Sequence, residues 1–456
     1  MTKATVCHRR RSTARLLLAP VAFALALGLA PAGLLLAAPA QAQQVVPRDD
    51  LRAALVEQAP RELAPFYAAH GWQPLWLYAD GRVRRAALLL LGQVEQAGAD
   101  GIRPSRLRPG ELRKALDRIG SADPKNLARV ELAASRLYVN WVKALRSAPH
   151  ASMQYESDAL APVVPTTAAA LQVAAAAQSL NEHVETMAWM HPWYALLRQA
   201  TLDPGLSESQ RHHIALNMER LRALPAYPAD RYVLVDAAGA KLWMFERGKP
   251  VGSMRVVVGK PDNQTPMMAG FIRYAILNPY WNVPDDLVSR RIASNVRNKG
   301  FGYLKTGGYE VLREWGSSET INPALVDWQA VEQGRAMVRV RQLPGRSNFM
   351  GKVKFEFPNP LGIYLHDTPE KNLLRQETRT ASSGCVRLED AQRLGRWLLG
   401  KPLPRKVSTP EKRMDLPELV PVYITYLTIS PEPSGTLAFN ADPYGRDGGM
   451  THLATR

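Results

Sequence analysis

Residues 231–258 read RYVLVDAAGAKLWMFERGKPVGSMRVVV, and a strand-forming pattern begins with this stretch. Short runs of β-branched and aromatic residues are separated there by Gly239 and Gly248, which suit tight turns. The pattern predicts three strands of an antiparallel meander. They are expected at residues 232–235, 241–245 and 254–258.

The strand-forming pattern continues towards the C-terminus. Further strands are predicted at residues 272–277, 337–340, 352–357 and 362–366. Residues 389–399 are predicted to form an amphipathic helix, because Ala391, Leu394 and Leu398 fall on one helical face.

The rest of the chain divides into segments of different character. Residues 61–225 repeat apolar side chains at helical spacing and predict a helical scaffold domain, with a polar tether at 43–60 before it. Residues 226–430 form the β-rich domain, and its less regular part at about 285–345 predicts an inserted subdomain. Residues 431–456 are expected to be a poorly ordered tail. The fold class is therefore predicted to be α+β.

The chain of 456 residues carries a formal net charge of +17, which favours polyanionic partners without choosing among them. Five of these charges lie in residues 1–42, which contain no acid, so the remainder is about +12 (17 − 5). Nucleic acid, anionic lipid and a carboxylate-rich cell wall all remain open on charge alone. The five basic residues are Lys3, Arg9, Arg10, Arg11 and Arg15.

The N-terminus has the form of a secretory signal peptide. A basic stretch at 1–15 precedes an apolar run at 16–38, and Ala40-Gln41-Ala42 then supplies the small-x-small cleavage pattern. Gln43 is the expected new N-terminus. The alternative is an uncleaved membrane anchor, because the apolar run is long enough to span a bilayer. Both alternatives predict that the body of the protein is exported.

Export makes the cysteine count informative. Cys7 lies before the apolar run, so the exported body holds a single cysteine, Cys385. A lone thiol has no intrachain disulfide partner and is exposed to oxidation in such a compartment. This pattern indicates a reactive thiol or an intermolecular link, with a buried inert cysteine as the alternative.

The segment around this cysteine predicts nucleophilic chemistry. His366 lies nineteen residues upstream of Cys385, and a histidine within hydrogen-bond reach can generate a thiolate–imidazolium pair. The N–H groups of Gly384 and Cys385 are candidate oxyanion donors, and Arg387 can hold a substrate carboxylate. The helix expected to start near Glu389 would help to stabilise the thiolate if its positive end pointed at the sulfur. The segment reads Ser382-Ser383-Gly384-Cys385-Val386-Arg387.

These residues resemble the catalytic signature of L,D-transpeptidases of the YkuD type: a histidine, a gap, then Ser/Thr-x-Gly-Cys-hydrophobic-polar. His366, Ser382, Gly384 and Cys385 fall on the signature positions. Many members carry a second histidine where this chain has Ser383. The resemblance implies Cys385 as nucleophile, His366 as the one candidate base in the motif, and a backbone carbonyl that orients the base.

The resemblance extends to the large periplasmic, YcbB-like group of this family. It implies a helical scaffold, then the catalytic domain, with a capping subdomain at about 285–345. The small peptidoglycan-binding module usual in that group has no room here. The matching segments are Asn217–Arg222, Val258–Lys260, Gln264–Pro266, Asn278–Pro284, Arg341–Gly345 and Ile363–Pro369.

The resemblance implies acyl transfer between the tetrapeptide stems of peptidoglycan in the periplasm. Cys385 would form a thioester at the third stem residue, release D-alanine, and pass the acyl group to an amine of a second stem. No metal or cofactor is implied, and carbapenems are expected to acylate the thiol. Ser382, Ser383, Gly384, Arg387 and Tyr364 are the candidate oxyanion-hole and substrate-binding residues.

Several alternatives stay open. Transfer to water would give a carboxypeptidase, and transfer to a protein amine would attach an outer-membrane protein. A papain-like hydrolase is disfavoured because the histidine precedes the cysteine. A non-catalytic wall-binding scaffold protein is a further alternative, but it would not need both His366 and Cys385. Donor and acceptor stems are the expected partners, with cell-wall synthesis proteins as further candidates and nucleic acid excluded. A membrane partner follows only from an uncleaved signal segment.

Other motifs are absent or weak. The sequence has no His-Glu-x-x-His zinc motif, no P-loop and no dinucleotide-binding glycine pattern. His212 and His213 stand side by side with no cysteine near them, and this pair is too isolated to indicate a metal site. We therefore expect these two histidines to be structural or exposed rather than metal ligands.

Overall fold

The structure is a computed structural model that describes residues 48–119, 123–147, 151–316, 319–432 and 434–448. The predicted signal peptide at 1–42 lies outside the described residues. The described chain is α+β, with a helical N-terminal part followed by a β-rich part. None of the described helices combines the length and apolarity that a membrane crossing requires.

In the described residues of the N-terminal part, ten helices pack around one apolar core. The longest of them begins after Asp123, whose side chain accepts the Lys125 N–H, and Pro124 occupies its first turn. The helices are α1 Arg48–Gln58, α2 Ala64–Ala69, α3 Arg85–Glu95, α4 Pro104–Leu107, α5 Pro109–Asp117, α6 Pro124–Arg146, α7 Thr167–Ala175, α8 Leu180–Glu185, α9 Pro192–Thr201 and α10 Glu208–Arg222.

The segment predicted as a polar tether, 43–60, differs from that expectation where it is described. Helix α1 occupies most of it, and Leu51, Ala54 and Leu55 of this helix are buried in the scaffold core. Their spacing of three and four residues places them on one face of the helix. This part of the segment is therefore packed structure rather than a linker.

Fifteen strands are present in the described residues. They are β1 Gln154–Tyr155, β2 Arg231–Asp236, β3 Lys241–Glu246, β4 Lys249–Gly259, β5 Met268–Leu277, β6 Trp281–Asn282, β7 Tyr309–Leu312, β8 Arg339–Gln342, β9 Val353–Glu356, β10 Leu365–His366, β11 Thr380–Ser382, β12 Val386–Leu388, β13 Lys412–Thr425, β14 Ile429–Pro431 and β15 Leu437–Phe439.

The remaining helices lie among these strands. They are α11 Asp285–Leu287, α12 Ser294–Lys299, α13 Gly302–Gly307, α14 Trp328–Glu332 and α15 Ala391–Leu399, with a π-helical turn at Val288–Ala293 between α11 and α12. Short 3-10 turns occur at Ala97–Asp100, Asp158–Leu160, Pro261–Asn263, Pro323–Leu325 and Leu373–Arg375.

Eight strands close into a barrel. Their order is β5-β13-β2-β3-β4-β12-β10-β9, and β9 pairs again with β5. The predicted meander supplies β2, β3 and β4, which pair antiparallel in sequence order. Because side chains alternate between the two faces of a strand, every second residue enters the core. Val386 and Leu388 of β12 and Leu365 of β10 are such core residues.

The chain between β5 and β9 forms a separate unit with its own core. Its sheet has the order β6-β8-β7 and is accompanied by α11–α14. The predicted capping subdomain falls within this unit. The strand predicted at 337–340 is β8, which belongs to this small sheet and not to the barrel.

The segment predicted as a poorly ordered tail is packed where it is described. β15 pairs with β14, and the Tyr444 ring is buried and stacks on Tyr426 at 5.2 Å between centroids. Asp447 forms an ion pair of 2.7 Å with the buried Arg220 of α10. The Pro/Gly-rich composition suggested disorder, but these aromatic and charged side chains hold the segment against the barrel and α10.

Candidate active site

Strand β10 carries His366 between two neighbours of the barrel. In register, His366 lies opposite Arg387 of β12 on one side and Lys354 of β9 on the other. Leu365 beside it is buried in the barrel core, so His366 faces away from that core. The sequence predicts a strand over 362–366, but the strand contains only Leu365–His366, and Gly362 at the predicted start adopts a φ of 63°.

Lys354, His366 and Arg387 form one row of side chains on the outer face of the barrel. A second row lies on the same face, two residues along each strand. The Val386 N–H donates to the Tyr364 carbonyl at 2.9 Å, so Cys385 lies beside Tyr364 as the parallel register continues. The antiparallel register places Glu356 of β9 on the other side of Tyr364. The site face is therefore formed by two rows: Lys354, His366 and Arg387, then Glu356, Tyr364 and Cys385.

The Cys385 thiol is half-buried and neutral. Its Sγ donates to the Gly362 carbonyl oxygen at 3.6 Å. Burial raises the pKa of the thiol to about 11, against smaller opposing effects of a Tyr364 backbone hydrogen bond and the Arg387 charge. At pH 7 the sulfur therefore carries its proton.

The His366 imidazole is buried and also neutral. Its Nδ1–H donates to the backbone carbonyl of Asp367 at 2.5 Å, which is the kind of contact that the family resemblance predicts. Because a carbonyl can only accept, Nδ1 carries the proton and Nε2 has the lone pair. Burial and the Arg387 charge lower the pKa of the imidazole to about 4.

The resting pair therefore differs from the sequence prediction. A thiolate–imidazolium pair is expected from the motif, but both groups are neutral because burial disfavours charge on each of them. Among the described residues, the thiol's hydrogen bond goes to Gly362 rather than to the imidazole. Nucleophilic attack by Cys385 with His366 as the base would require a proton to pass from sulfur to nitrogen during the reaction, and catalytic contacts of this kind often tighten only with substrate.

The turn before the cysteine is held by two hydroxyl groups. Ser382 Oγ donates to the Cys385 carbonyl at 2.6 Å and accepts the Gly384 N–H at 3.2 Å. Thr265 Oγ1 donates to the Gly384 carbonyl at 2.7 Å. Gly384 has a φ of 111°, and a Cβ there would lie 3.1 Å from Ile363 Cδ1. The turn thus requires glycine.

One of the two candidate oxyanion donors already has a hydrogen-bond partner. The Gly384 N–H is already bonded to Ser382 Oγ, so it is not free to receive an oxyanion in this state. The condition for help from a helix end is not met. Helix α15 begins at Ala391, its N-terminus is capped by Asp390, and strand β12 separates it from Cys385. The effect of a helix dipole fades within the first turn of the helix.

The other predicted site residues have distinct surroundings. Arg387 forms an ion pair with Glu370, and its guanidinium lies 6.0 Å from the centroid of the Phe349 ring, at the edge of the cap. Tyr364 is half-buried, with Lys354 Nζ 5.5 Å from its ring centroid. Ser383 is exposed.

Two site-face residues escaped the sequence analysis. Lys354 and Glu356 form an ion pair of 2.9 Å, and the side chain of each is only 13% exposed. A signal for them exists in the strand predicted at 352–357, where charged residues at even positions alternate with Val353, Phe355 and Phe357. Nothing in the pattern indicates that this polar face adjoins Cys385, because the register of β9 on β10 is not visible in the sequence.

The described residues contain no group of three or more His, Cys, Asp or Glu side chains arranged to hold a metal ion. His212 and His213 are the two histidines that we expect not to bind a metal. The Nε2 atom of His213 lies 2.8 Å from Asp447 Oδ2 and 2.9 Å from Thr428 Oγ1. These contacts give His213 a structural role at the junction of α10 with the C-terminal segment.

Comparison with known proteins gives matches over both parts of the chain. Residues 230–424 match the family model described as an L,D-transpeptidase catalytic domain, YkuD, and residues 61–200 match one described as a scaffold domain. A curated protein of Haemophilus influenzae named "Putative L,D-transpeptidase" is 32% identical over 241 residues, which are 51% of this chain and 48% of the relative. The chain thus spans about half the length of that relative.

One solved structure, titled "Structure of the Ldtfm-avibactam carbamoyl enzyme", is 12% identical and covers 44% of this chain and 51% of its own. Its TM-score of 0.22 supports no conclusion about the fold. The two matches fall on the β-rich part that contains the barrel and on the helical part that precedes it. Residues 230–424 therefore belong to the family of YkuD-type L,D-transpeptidase catalytic domains, and an N-terminal scaffold domain precedes them.

Proposed function

We propose that this protein is a peptidoglycan L,D-transpeptidase with Cys385 as nucleophile and His366 as general base. One observation carries the proposal: within the domain that matches the catalytic family, Cys385 lies half-buried on the same barrel face as His366, one strand away. The glycine before it leaves room for a substrate backbone to approach the sulfur.

The first half-reaction makes a thioester. His366 Nε2 takes the thiol proton while Sγ attacks the carbonyl carbon of the third stem residue. The bond from that carbon to the D-alanine nitrogen then breaks, and the imidazolium returns the proton to the leaving amine. Because both groups start neutral, no ion pair has to be separated before substrate binds.

The second half-reaction consumes the thioester. An amine on the side chain of a second stem attacks the carbonyl carbon, loses a proton to His366, and the sulfur leaves and recovers its proton. The product is a 3–3 cross-link. Water in the amine's place would give carboxypeptidase activity, and an amine on a protein would give protein attachment. Chromatography of the muropeptides made by the purified enzyme separates these outcomes.

The charges of the site face support a zwitterionic substrate. Lys354 and Arg387 can bind a carboxylate, and Glu356 can bind an ammonium group, within one or two strands of Cys385. meso-Diaminopimelate at the third position of the stem carries both kinds of group. We therefore assign these three side chains to recognition of that residue, in a protein exported to the periplasm by its signal segment.

Acylation by a carbapenem tests the proposal. β-Lactam ring opening is an addition, so the intact mass of the protein should rise by one whole carbapenem, with the modification on the Cys385 peptide. Cys385→Ala should gain nothing, and His366→Gln should acylate much more slowly because the thiol loses its proton acceptor. An adduct that persists in Cys385→Ala, or no adduct on the wild type, would refute the assignment.

A further inference from the structure

The long helix α6 of the scaffold is buried on every side but one. Between Arg129 and Lys143, its residues that are not buried recur at intervals of three and four, which makes one stripe along the helix. From Arg129 to Lys143 this stripe is about 21 Å long at the usual helical rise. The members of the stripe are Arg129, Ala133, Arg136, Asn140 and Lys143.

This stripe forms the floor of two adjoining cavities, of about 960 and 320 Å³, and Arg136 lines both of them. We refer to the two cavities together as the basic groove. The wall opposite α6 comes from α4, α5 and the residues that follow them, which contribute Arg106, Arg108, Lys114 and Arg118. The groove is thus a concave, elongated surface rather than a flat patch.

The basic groove carries a large excess of positive charge. Five Lys and Arg side chains line the first cavity and four line the second; Arg136 is shared, so eight cations face two carboxylates. Those carboxylates, Glu62 and Glu111, are already occupied by ion pairs with Arg136, and Glu111 also with Arg108. Within the described part of the chain, Arg106, Lys114 and Arg118 form no ion pair.

A third cavity of the scaffold provides a contrast. It is larger, about 1200 Å³, but four carboxylates and three arginines line it. Its opposite charges nearly balance, although the whole chain is strongly basic. The excess of positive charge is therefore a property of the basic groove and not of every concave surface in this domain.

We propose that the basic groove binds the carboxylate-bearing peptide stems of a peptidoglycan strand, holding the wall while the catalytic domain acts on a neighbouring stem. This inference rests on the proposed function for its choice of polymer. Arginine and lysine bind carboxylates through charge-assisted hydrogen bonds, and several sites along 21 Å suit an extended chain with repeated carboxylates.

Two other polyanions fit the groove less well. Proteins that bind single-stranded nucleic acid usually offer aromatic side chains on which bases stack, and the described residues lining the two cavities include no Phe, Tyr or Trp. A membrane surface is broad and would meet a flat or convex basic face with apolar side chains projecting from it. A recessed groove with its charges on the floor and wall favours a strand over a sheet of headgroups.

Co-sedimentation of the full chain with purified peptidoglycan tests the inference. The groove variant is Arg106→Glu, Lys114→Glu and Arg118→Glu, all exposed. The matched control is Lys401→Glu, Arg405→Glu and Lys406→Glu, three exposed residues after α15. Both variants change the net charge equally, so a general attraction to the wall falls equally in both. We expect the groove variant to lose at least about tenfold in affinity and the control less than about twofold.

Several results would overturn the inference: equal losses in the two variants, no loss in the groove variant, or full binding to peptidoglycan whose carboxylates have been amidated. Tighter binding of the groove to single-stranded DNA or to anionic phosphatidylglycerol vesicles would also overturn it. Unchanged circular dichroism shows that the groove variant remains folded.

The test separates this inference from the proposed function. Carbapenem acylation of Cys385 should be unchanged in the groove variant, because none of the three residues lies in the barrel, and Cys385→Ala should still bind peptidoglycan. Wall binding through the groove without any acylation would refute the proposed function but would leave the groove inference standing. Acylation without groove-dependent binding would refute the groove inference but would leave the proposed function standing.

Discussion

The surroundings of Cys385 and His366 disfavour the charged form of each side chain. The same low-dielectric surroundings raise the pKa of the Cys385 thiol to about 11 and lower that of the His366 imidazole to about 4. A free thiolate is open to oxidation, whereas a protonated thiol reacts slowly with oxidants. The resting site therefore protects its sulfur, and the neutral imidazole keeps a lone pair that can accept a proton.

The raised thiol pKa predicts the pH dependence of alkylation. With a pKa near 11, the thiolate fraction at pH 8 is about one in a thousand, and it rises roughly tenfold per pH unit up to about pH 10. Iodoacetamide modification of the Cys385 peptide, followed by mass spectrometry over short exposures, should rise in the same way. The matched control is the chain unfolded in guanidinium, where the rate should level off above about pH 9.5. A folded-state rate that levels off at the same pH as this control would show that the thiol is not shielded from ionising.

At the scale of elements, the junction between scaffold and barrel depends on a buried histidine. His191 Nδ1 accepts the Trp193 N–H at the start of α9, and its Nε2 bonds the Tyr232 hydroxyl of β2 at 2.9 Å. Burial lowers the pKa of His191 to about 3. This neutral ring joins the last scaffold helices to the first barrel strand.

Stability should therefore fall with acid through His191. The unfolded chain binds a proton at this residue below about pH 6.5, whereas the folded chain does so only near pH 3, so unfolding takes up a proton in between. The stabilising contribution is present above pH 6.5 and is lost as the pH falls towards 3. At pH 4.5 the loss is about 2–3 kcal/mol.

Denaturant unfolding at pH 7 and pH 4.5 measures this contribution. In His191→Asn, which keeps an N-cap side chain, the difference in unfolding free energy between the two pH values should shrink by about 2–3 kcal/mol. His212→Asn, at a half-exposed position, is the matched control and should leave the difference unchanged. An undiminished difference in His191→Asn would mean that other groups cause the acid sensitivity.

Elements also show what the sequence could predict. The meander of β2, β3 and β4 and the helix α15 were predictable because each depends on local periodicity, which the chain displays directly. The strand predicted at 362–366 shrinks to the two residues of β10, because these are held between β9 and β12 by long-range pairing that leaves no local signal. The site motif identified the residues Cys385 and His366, but the same long-range pairing brings Lys354 and Glu356 to them.

At the scale of the whole molecule, the C-terminal segment supports the active-site turn. The Tyr444 hydroxyl donates to the Gly259 carbonyl at 2.8 Å and accepts the Thr265 N–H at 3.3 Å. The Thr265 hydroxyl in turn donates to the Gly384 carbonyl, one residue before Cys385. Composition suggested disorder here, since the partners of Tyr444 lie about 180 residues away and leave no local signal.

This chain of contacts predicts that Tyr444→Phe weakens both stability and reactivity. The variant keeps the stacked ring but loses both hydroxyl hydrogen bonds, which should reduce the free energy of unfolding by about 1–2 kcal/mol. Because Thr265 would hold Gly384 less firmly, the rate of carbapenem acylation at Cys385 should fall roughly three- to tenfold. Tyr227→Phe is the matched control: Tyr227 is 67% exposed, and removing its hydroxyl should change neither quantity. A loss of stability with an unchanged acylation rate would show that the C-terminal segment braces the barrel without positioning the nucleophile.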